Sequence, residues 1–357
     1  MAVRAKRVAV RDKPRDSQPP EDPPGPSRRW PARTILIFVA VSVLSAGVAV
    51  AAVLTRQPLT VVTVAGNLPM LDDAGMKAAI EEEGLDVRQT PFGTRKPQDI
   101  DLTRYDLVVS GSEVQSKLVA AQLPGAAKRS WFSSPMVVVT REPLTALLQQ
   151  AAVARPLPGG AWEFDVAAYL DQVKAGRRWV DIRDAAAVYP SPVAMLVSTT
   201  DPQLSNSAAM FVAIVSYLAN DNDVVKDDED VREVIEQVRL CFEPQGDMPT
   251  RTPDLMDKFL SGDLPMALVY ENDFLAAKHP GVVAMYPTVN VASDNILISR
   301  TEAGKKLARL LIDKGPIRER ARADWGYTDA ASAGRPPIVA SVPVPKHEIL
   351  EGLIDGL

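Results

Sequence analysis

From Leu59 onward, apolar residues come in short, nearly continuous runs, which alternate with stretches whose apolar positions recur every three or four residues. The runs are Leu59 to Ala65, Asp106 to Ser110, Met136 to Thr140, Ala194 to Ser198, Pro265 to Glu271, Val282 to Tyr286 and Asn295 to Ser299. Rich in β-branched residues and too short for helices, they predict strands covered on both faces. Helices are predicted between them over Met76 to Glu83, Glu163 to Val173, Ser205 to Ala219, Asp230 to Leu240, Thr252 to Leu260 and Thr301 to Asp313. The clearest stripe is Val231, Val234, Ile235 and Val238, behind an acidic first turn that opens at Asp227. Strand and helix in alternation predict an α/β fold built on a mainly parallel sheet.

One apolar run is of a different kind. Thr34 to Leu54 carries no charge over 21 residues, and at about 1.5 Å per residue it reaches the thickness of a bilayer's hydrocarbon core. Ala49-Val50-Ala51 offers a small-x-small cleavage pattern, but the run is longer than a signal-peptide core and sits behind a 33-residue leader, so an uncleaved anchor is expected. Within residues 1–33, nine basic residues oppose four acidic ones. That asymmetry places the N-terminus in the cytoplasm and the remainder outside the cell membrane, a single-pass arrangement. Seven prolines between Pro14 and Pro31 make residues 1–33 a disordered cytoplasmic tail.

Composition narrows the chemistry. The 357 residues carry a net charge of -5, which gives no electrostatic reason to expect nucleic acid as a partner. A single cysteine, Cys241, with apolar flanks that predict burial, excludes an intrachain disulfide and a thiolate zinc site. Two histidines, His279 and His347, leave little for histidine metal sites or Ser/His/Asp triads. The acidic run at Asp221, Asp223 and Asp227 to Asp230 lacks the glycine and distal glutamate of a calcium loop and reads as helix N-terminal carboxylates. Gly66-Asn67-Leu68-Pro69-Met70 stands where a dinucleotide fingerprint would need further glycines, and Gly304-Lys305 lacks the preceding P-loop glycine. No cofactor, no metal and no catalytic residue are expected, and the chain is not expected to be an enzyme.

Small polar residues recur at predicted strand ends: Gly66 and Asn67, then Ser110, Gly111 and Ser112, then Ser133 and Ser134. Open α/β sheets bind ligands at strand carboxyl ends, where loops lead into helix N-termini. Asp201-Pro202-Gln203-Leu204-Ser205-Asn206-Ser207 runs straight into the apolar helix Ala208 to Ala219. There Ser205, Asn206 or Ser207 can cap the helix, or leave its N–H groups to a ligand. Any one of these residues alone is an ordinary cap; their recurrence points to a pocket.

Ser134-Pro135 before an apolar strand, Trp179-Val180-Asp181-Ile182, Asp201 to Ser207, Tyr270-Glu271-Asn272, Tyr286-Pro287-Thr288 and Thr301 to Leu311 followed by Trp325-Gly326-Tyr327 occur in the order seen in type 2 extracytoplasmic solute-binding proteins. The chain resembles their molybdate/sulfate-type branch and the related membrane-anchored proteins of high-GC Gram-positive bacteria, over residues 59–330. The resemblance implies a two-lobed periplasmic-binding-protein-like domain: lobe one 59–140 plus 270–330, lobe two 141–269, and a tail, 331–357, packing on the domain through Ile349, Leu350, Leu353 and Ile354. It implies a small polar or anionic solute held by lobe closure and an ABC-type permease as partner. Tyr270 then lies at the hinge near the ligand, and Glu271 either joins it or braces the hinge. The candidate ligand-binding residues are Gly66, Asn67, Ser110, Gly111, Ser112, Ser134, Asp201, Ser205, Asn206, Ser207, Tyr270 and Glu271. The first strand end departs from the oxyanion-binding pattern, which places paired hydroxyl residues there. A second reading is a cell-envelope interaction or regulatory protein that uses this fold without transport.

Overall fold

The computed structural model describes residues 58–66, 68–90, 100–327 and 341–357. The predicted tail 1–33, the anchor 34–54 and Asn67 lie outside them. Among the described residues no helix is long and apolar enough to cross a membrane.

The chain opens with β1 (Thr60–Ala65), α1 (Ala74–Glu82), β2 (Leu85–Thr90), β3 (Leu107–Ser110) and α2 (Glu113–Gln122). The 15-residue strand β4 (Ala127–Arg141) leads through α3 (Glu142–Gln150) to the short strands β5 (Ala154–Pro156) and β6 (Trp162–Phe164). Four helices of nine residues or more follow: α4 (Val166–Lys174), α5 (Asn206–Ala219), α6 (Asp228–Phe242) and α7 (Thr252–Leu260). Then come β7 (Met266–Tyr270), α8 (Glu271–Ala277), β8 (Val282–Pro287), β9 (Ala292–Ser299), α9 (Glu302–Ile312), α10 (Pro316–Trp325) and α11 (His347–Asp355).

Among the described residues the strands form one sheet in the order β2-β1-β3-β9-β4-β8-β6-β5, with β7 paired to β4 off that path. Strand β4 joins its two halves. Ala127 to Pro135 pair with β9, whereas Met136 to Arg141 lie between β7 and β8. Each half is covered on both faces. In lobe one, Val62, Val64, Leu107 and Leu297 pack with Leu307 and Leu311 of α9, while Val108, Ile296 and Ile298 pack with Val119 of α2. In lobe two, Met136, Val138 and Leu268 face α4, α5, α6 and α11, and Val137, Val139 and Val269 face Leu255 and Phe259 of α7. Helix α5 is buried without a break from Ser207 to Ser216, which is why its sequence is apolar all round.

Several expectations change. The sheet is not mainly parallel: β1-β2, β1-β3 and β6-β8 are parallel, but β3-β9, β4-β7, β4-β8, β4-β9 and β5-β6 are antiparallel. Continuous β-branched runs report that both faces are covered and say nothing of direction. Ala194 to Ser198 is no strand; it makes single bridges at Ala194 and Ser198. The helix expected from Glu163 begins at Val166, because residues 162–164 pair as β6 and Asp165 caps the helix by accepting from Ala168 N–H. The chain passes between the halves at Pro135/Met136 and again between Pro287 and Ala292, so β8, expected in lobe one, pairs beside β7 within lobe two. Ile349, Leu350, Leu353 and Ile354 are buried on α11, which packs against α5 and α6.

Candidate functional site

Where the halves meet, a cavity of about 100 Å³ draws its walls from both. Larger hollows lie elsewhere on the surface, at Glu142 to Gly160 and along β2, but each is walled by one half alone. Lobe one contributes Leu68, Val109, Gly111, Phe132 and Tyr327. This wall is apolar and fixed: Phe132 stacks on Tyr327 at 4.6 Å between ring centres, and Trp131 meets both rings edge-on. Lobe two contributes the starts of two helices, Ser205, Asn206 and Ser207 before and within α5, and Arg251 and Thr252 at α7.

The start of α5 is uncapped. The Ser205 hydroxyl lies 2.9 Å from Ser207 Oγ, which in turn lies 2.7 Å from Thr200 Oγ1, and no side chain accepts from the first N–H groups of the helix. Those groups carry the positive end of the helix dipole. At α7, the Arg251 guanidinium is held by Asp254 at 2.7 and 2.5 Å, and that hydrogen bond raises its pKa further.

Tyr270, Ser293 and Asn295 line the cavity at the passage between halves. Tyr270 Oη accepts from Asn206 Nδ2 at 3.3 Å and bonds toward Ser293, whose hydroxyl donates to Gly111 O at 2.6 Å. Burial pushes the Tyr270 hydroxyl up to about 12. The chain Asn206–Tyr270–Ser293–Gly111 therefore latches lobe two to lobe one. Gly111 is in close contact here, since a Cβ on it would lie 3.4 Å from Ser293 Oγ and 3.7 Å from Asn206 Nδ2.

Asp273 closes the lobe-two wall. Its Oδ1 accepts from Asn272 Nδ2 at 3.0 Å, and its Oδ2 is buried without a hydrogen-bond partner. Burial pushes the carboxyl up to about 6, against the opposing pull of the Thr252 hydroxyl, the Tyr270 backbone and Asn272.

Of the candidate ligand residues, Gly111, Ser205, Asn206, Ser207 and Tyr270 line this cavity. The other described candidates are engaged elsewhere. Gly66 packs at the end of β1, where a Cβ would meet Val109 at 2.9 Å. The buried Ser110 hydroxyl lies 2.9 Å from Ser112 O and 3.1 Å from Gln115 Oε1. Ser112 caps α2 by accepting from Gln115 N–H. Ser134 accepts from Asn272 N–H at 3.2 Å, and Asp201 shapes the turn before α5 by accepting from Gln203 N–H. Glu271, 1% exposed, accepts from the Tyr286 hydroxyl at 2.7 Å, a bond within lobe two. Sequence reasoning missed Arg251, Thr252, Asn272, Asp273 and Ser293. Thr252-Pro253 carried a signal, since proline in the first turn marks a helix start.

Among the described residues no group of three or more His, Cys, Asp and Glu side chains is placed to hold a metal. In the acidic run, Asp227 accepts from Glu229 and Asp230 N–H groups and caps α6. Cys241 is buried and burial pushes its thiol up to about 12.

No protein-family model matches the chain, and no curated protein matches it. Solved structures do. The substrate-binding protein of an ABC transporter from Agrobacterium tumefaciens aligns with a TM-score of 0.55 at 12% identity, over 85% of this chain and 96% of that one. Iron-bound HitA from Pseudomonas aeruginosa aligns with a TM-score of 0.53 at 12% identity, over 84% and 99%. The sulfate-binding protein SubI from Mycobacterium tuberculosis H37Rv aligns with a TM-score of 0.52 at 16% identity, over 79% and 94%. At these identities the likeness establishes the fold, that of periplasmic-type substrate-binding proteins.

Proposed function

We propose that the chain is an extracytoplasmic solute-binding protein, tethered to the cell membrane by residues 34–54, which captures a small polar solute by lobe closure and presents it to an ABC-type permease. It acts by binding, without catalysis of its own. The observation that carries the reading is the cavity itself: both halves wall it, an uncapped helix start faces it, and a hydrogen-bonded latch crosses it. Groups that meet only when the lobes approach favour the closed form when a ligand joins them. The fold shared with substrate-binding proteins of transporters adds support. The anchor rests on the uncharged run and the basic leader.

A thermal-shift screen of small solutes on the purified full chain tests the binding reading. A true ligand at one hundred times its dissociation constant stabilises the fold by about 2.7 kcal/mol; a broad panel without any shift refutes capture. Protease added to intact protoplasts should digest the chain beyond residue 57 and leave a short N-terminal fragment. Protection of the whole chain would refute the topology.

A further inference from the structure

We propose that Asn290 is the pin of the hinge: its side chain locks the two crossings between the lobes to each other, and the C-terminal segment at Ser341 and Val342 holds the pin in place. The inference rests on the lobe closure proposed above, and no ligand is needed to test it.

The strand pairing locates the joint. On one edge of β4, Val138 pairs with Met285 of β8 and Pro135 with Ala292 of β9. Between these pairs β4 has only Met136 and Val137, whereas the returning chain has six residues, 286–291. The first of them leave β4 for β6: Tyr286 and Pro287 pair with Glu163 and Phe164, and the Thr288 N–H donates to Phe164 O. Met136 is left without a strand on that edge, at the point where the chain changes lobe.

Asn290 fills the gap. Its Nδ2 donates to Met136 O at 2.8 Å, and its Oδ1 accepts from Met136 N–H at 3.3 Å. A side-chain amide, with a donor and an acceptor side by side, makes the two bonds that a neighbouring strand would make. A strand would carry the sheet stiffly through the joint; an amide holds one residue and lets the next pair, Pro135 with Ala292, turn. On its other edge Met136 is in register with Tyr270, the latch residue, so pin and latch meet at one residue of β4.

The pin is itself fixed from behind. Asn290 O accepts from Val342 N–H at 3.0 Å, and Asn290 forms a parallel bridge with Ser341. Asn290, Val291 and Val342 are all buried, and the two valines belong to the lobe-two core that α11 completes. Buried this way, a bond lost at the pin has no solvent to replace it. Both crossings therefore stay tied on the lobe-two side and bend along one line, beside Pro135 and Ala292, which confines closure to one path.

Double electron–electron resonance on the purified full chain tests the inference, with spin labels at Lys117→Cys on α2 and Glu233→Cys on α6. Both positions are exposed, and the native Cys241 is buried. Asn290→Asp removes the donor to Met136 O, and Val342→Pro removes the N–H that holds Asn290 O. Asp165→Ala uncaps α4 away from the joint and controls for lost stability. Asn290→Asp should widen the distribution of distances between the lobes by about twofold or more. Val342→Pro should widen it by less, and Asp165→Ala should lower the melting temperature without widening it. Unchanged distributions in the folded Asn290 and Val342 variants overturn the inference and leave the solute screen to decide capture on its own. Equal widening in Asp165→Ala overturns it too, because any loss of stability would then loosen the lobes. If Asn290→Asp fails to fold, Val342→Pro decides alone.

Discussion

Two serines open helices on the two sides of the cleft, and they do different work. Ser112 accepts from Gln115 N–H and closes the start of α2 in lobe one. Ser205 turns its hydroxyl to Ser207 and leaves the start of α5 in lobe two uncapped. The same contrast extends to the walls. The lobe-one wall is a stacked aromatic and aliphatic surface with its packing complete, whereas the lobe-two wall holds free helix N–H groups and a carboxylate oxygen without a partner. One wall is built for stability, the other gives some stability up. Polar groups left unsatisfied in a folded protein mark where something else is meant to complete them.

Substitutions can break this contrast. The largest effect falls on the finished wall: Phe132→Ala should cost about 3–5 kcal/mol in urea unfolding, because the ring is buried against Trp131 and Tyr327. A cost below 1 kcal/mol would show that the aromatic stack is not what holds this wall. On the unfinished wall the sign reverses. The Asp273 carboxyl is raised from 3.8 to about 6 in the fold, so the native state binds more protons than the unfolded chain between those values. Its contribution to stability is complete below about pH 4 and is lost as pH rises through about 6. Asp273→Asn should therefore stabilise the protein at pH 8 by about 1–3 kcal/mol and change little at pH 4. A loss at pH 8 would place a stabilising partner on that carboxylate.

Smaller effects sharpen the comparison of the two serines. Ser112→Ala should cost about 1 kcal/mol, the usual value of an N-cap. Ser205→Ala should cost about 0.5 kcal/mol, the low end for one neutral hydrogen bond, since Ser207 keeps Thr200. Equal losses in denaturant melts would show that both serines are caps and that the start of α5 is not held open.

How much of this was legible in the sequence follows from what each segment touches. β1, β3, β7, β8 and β9 were legible because both their faces are covered, which forces apolar runs. β2 was not: it lies at the edge of the sheet, and LDVRQT alternates with solvent. The first half of β4 was hidden for the same reason, since Lys128, Ser130 and Ser133 interrupt it where it pairs with β9 alone among the described strands. Strand direction left no trace in the runs. At the site, Ser205 to Ser207 was legible as a polar helix start before an apolar helix. Ser110, Ser134 and Glu271 look equally promising in one dimension, but each is used up by a neighbour that only folding supplies. Arg251, Asp273 and Ser293 lie far apart in the chain and meet because it passes twice between lobes.

That double passage also sets an order of assembly. As the chain is made from its N-terminus, at about 5–20 residues per second, lobe one is started first but must wait for Leu297, Leu307 and Tyr327 to fill its core. Lobe two is started second and finishes later still, because Leu353 and Ile354 of α11 close the core around α5. A nascent chain that has reached Tyr327 therefore exposes the apolar flank of α5 with nothing to cover it. Through that interval the most buried helix of the finished domain is the segment most in need of a chaperone.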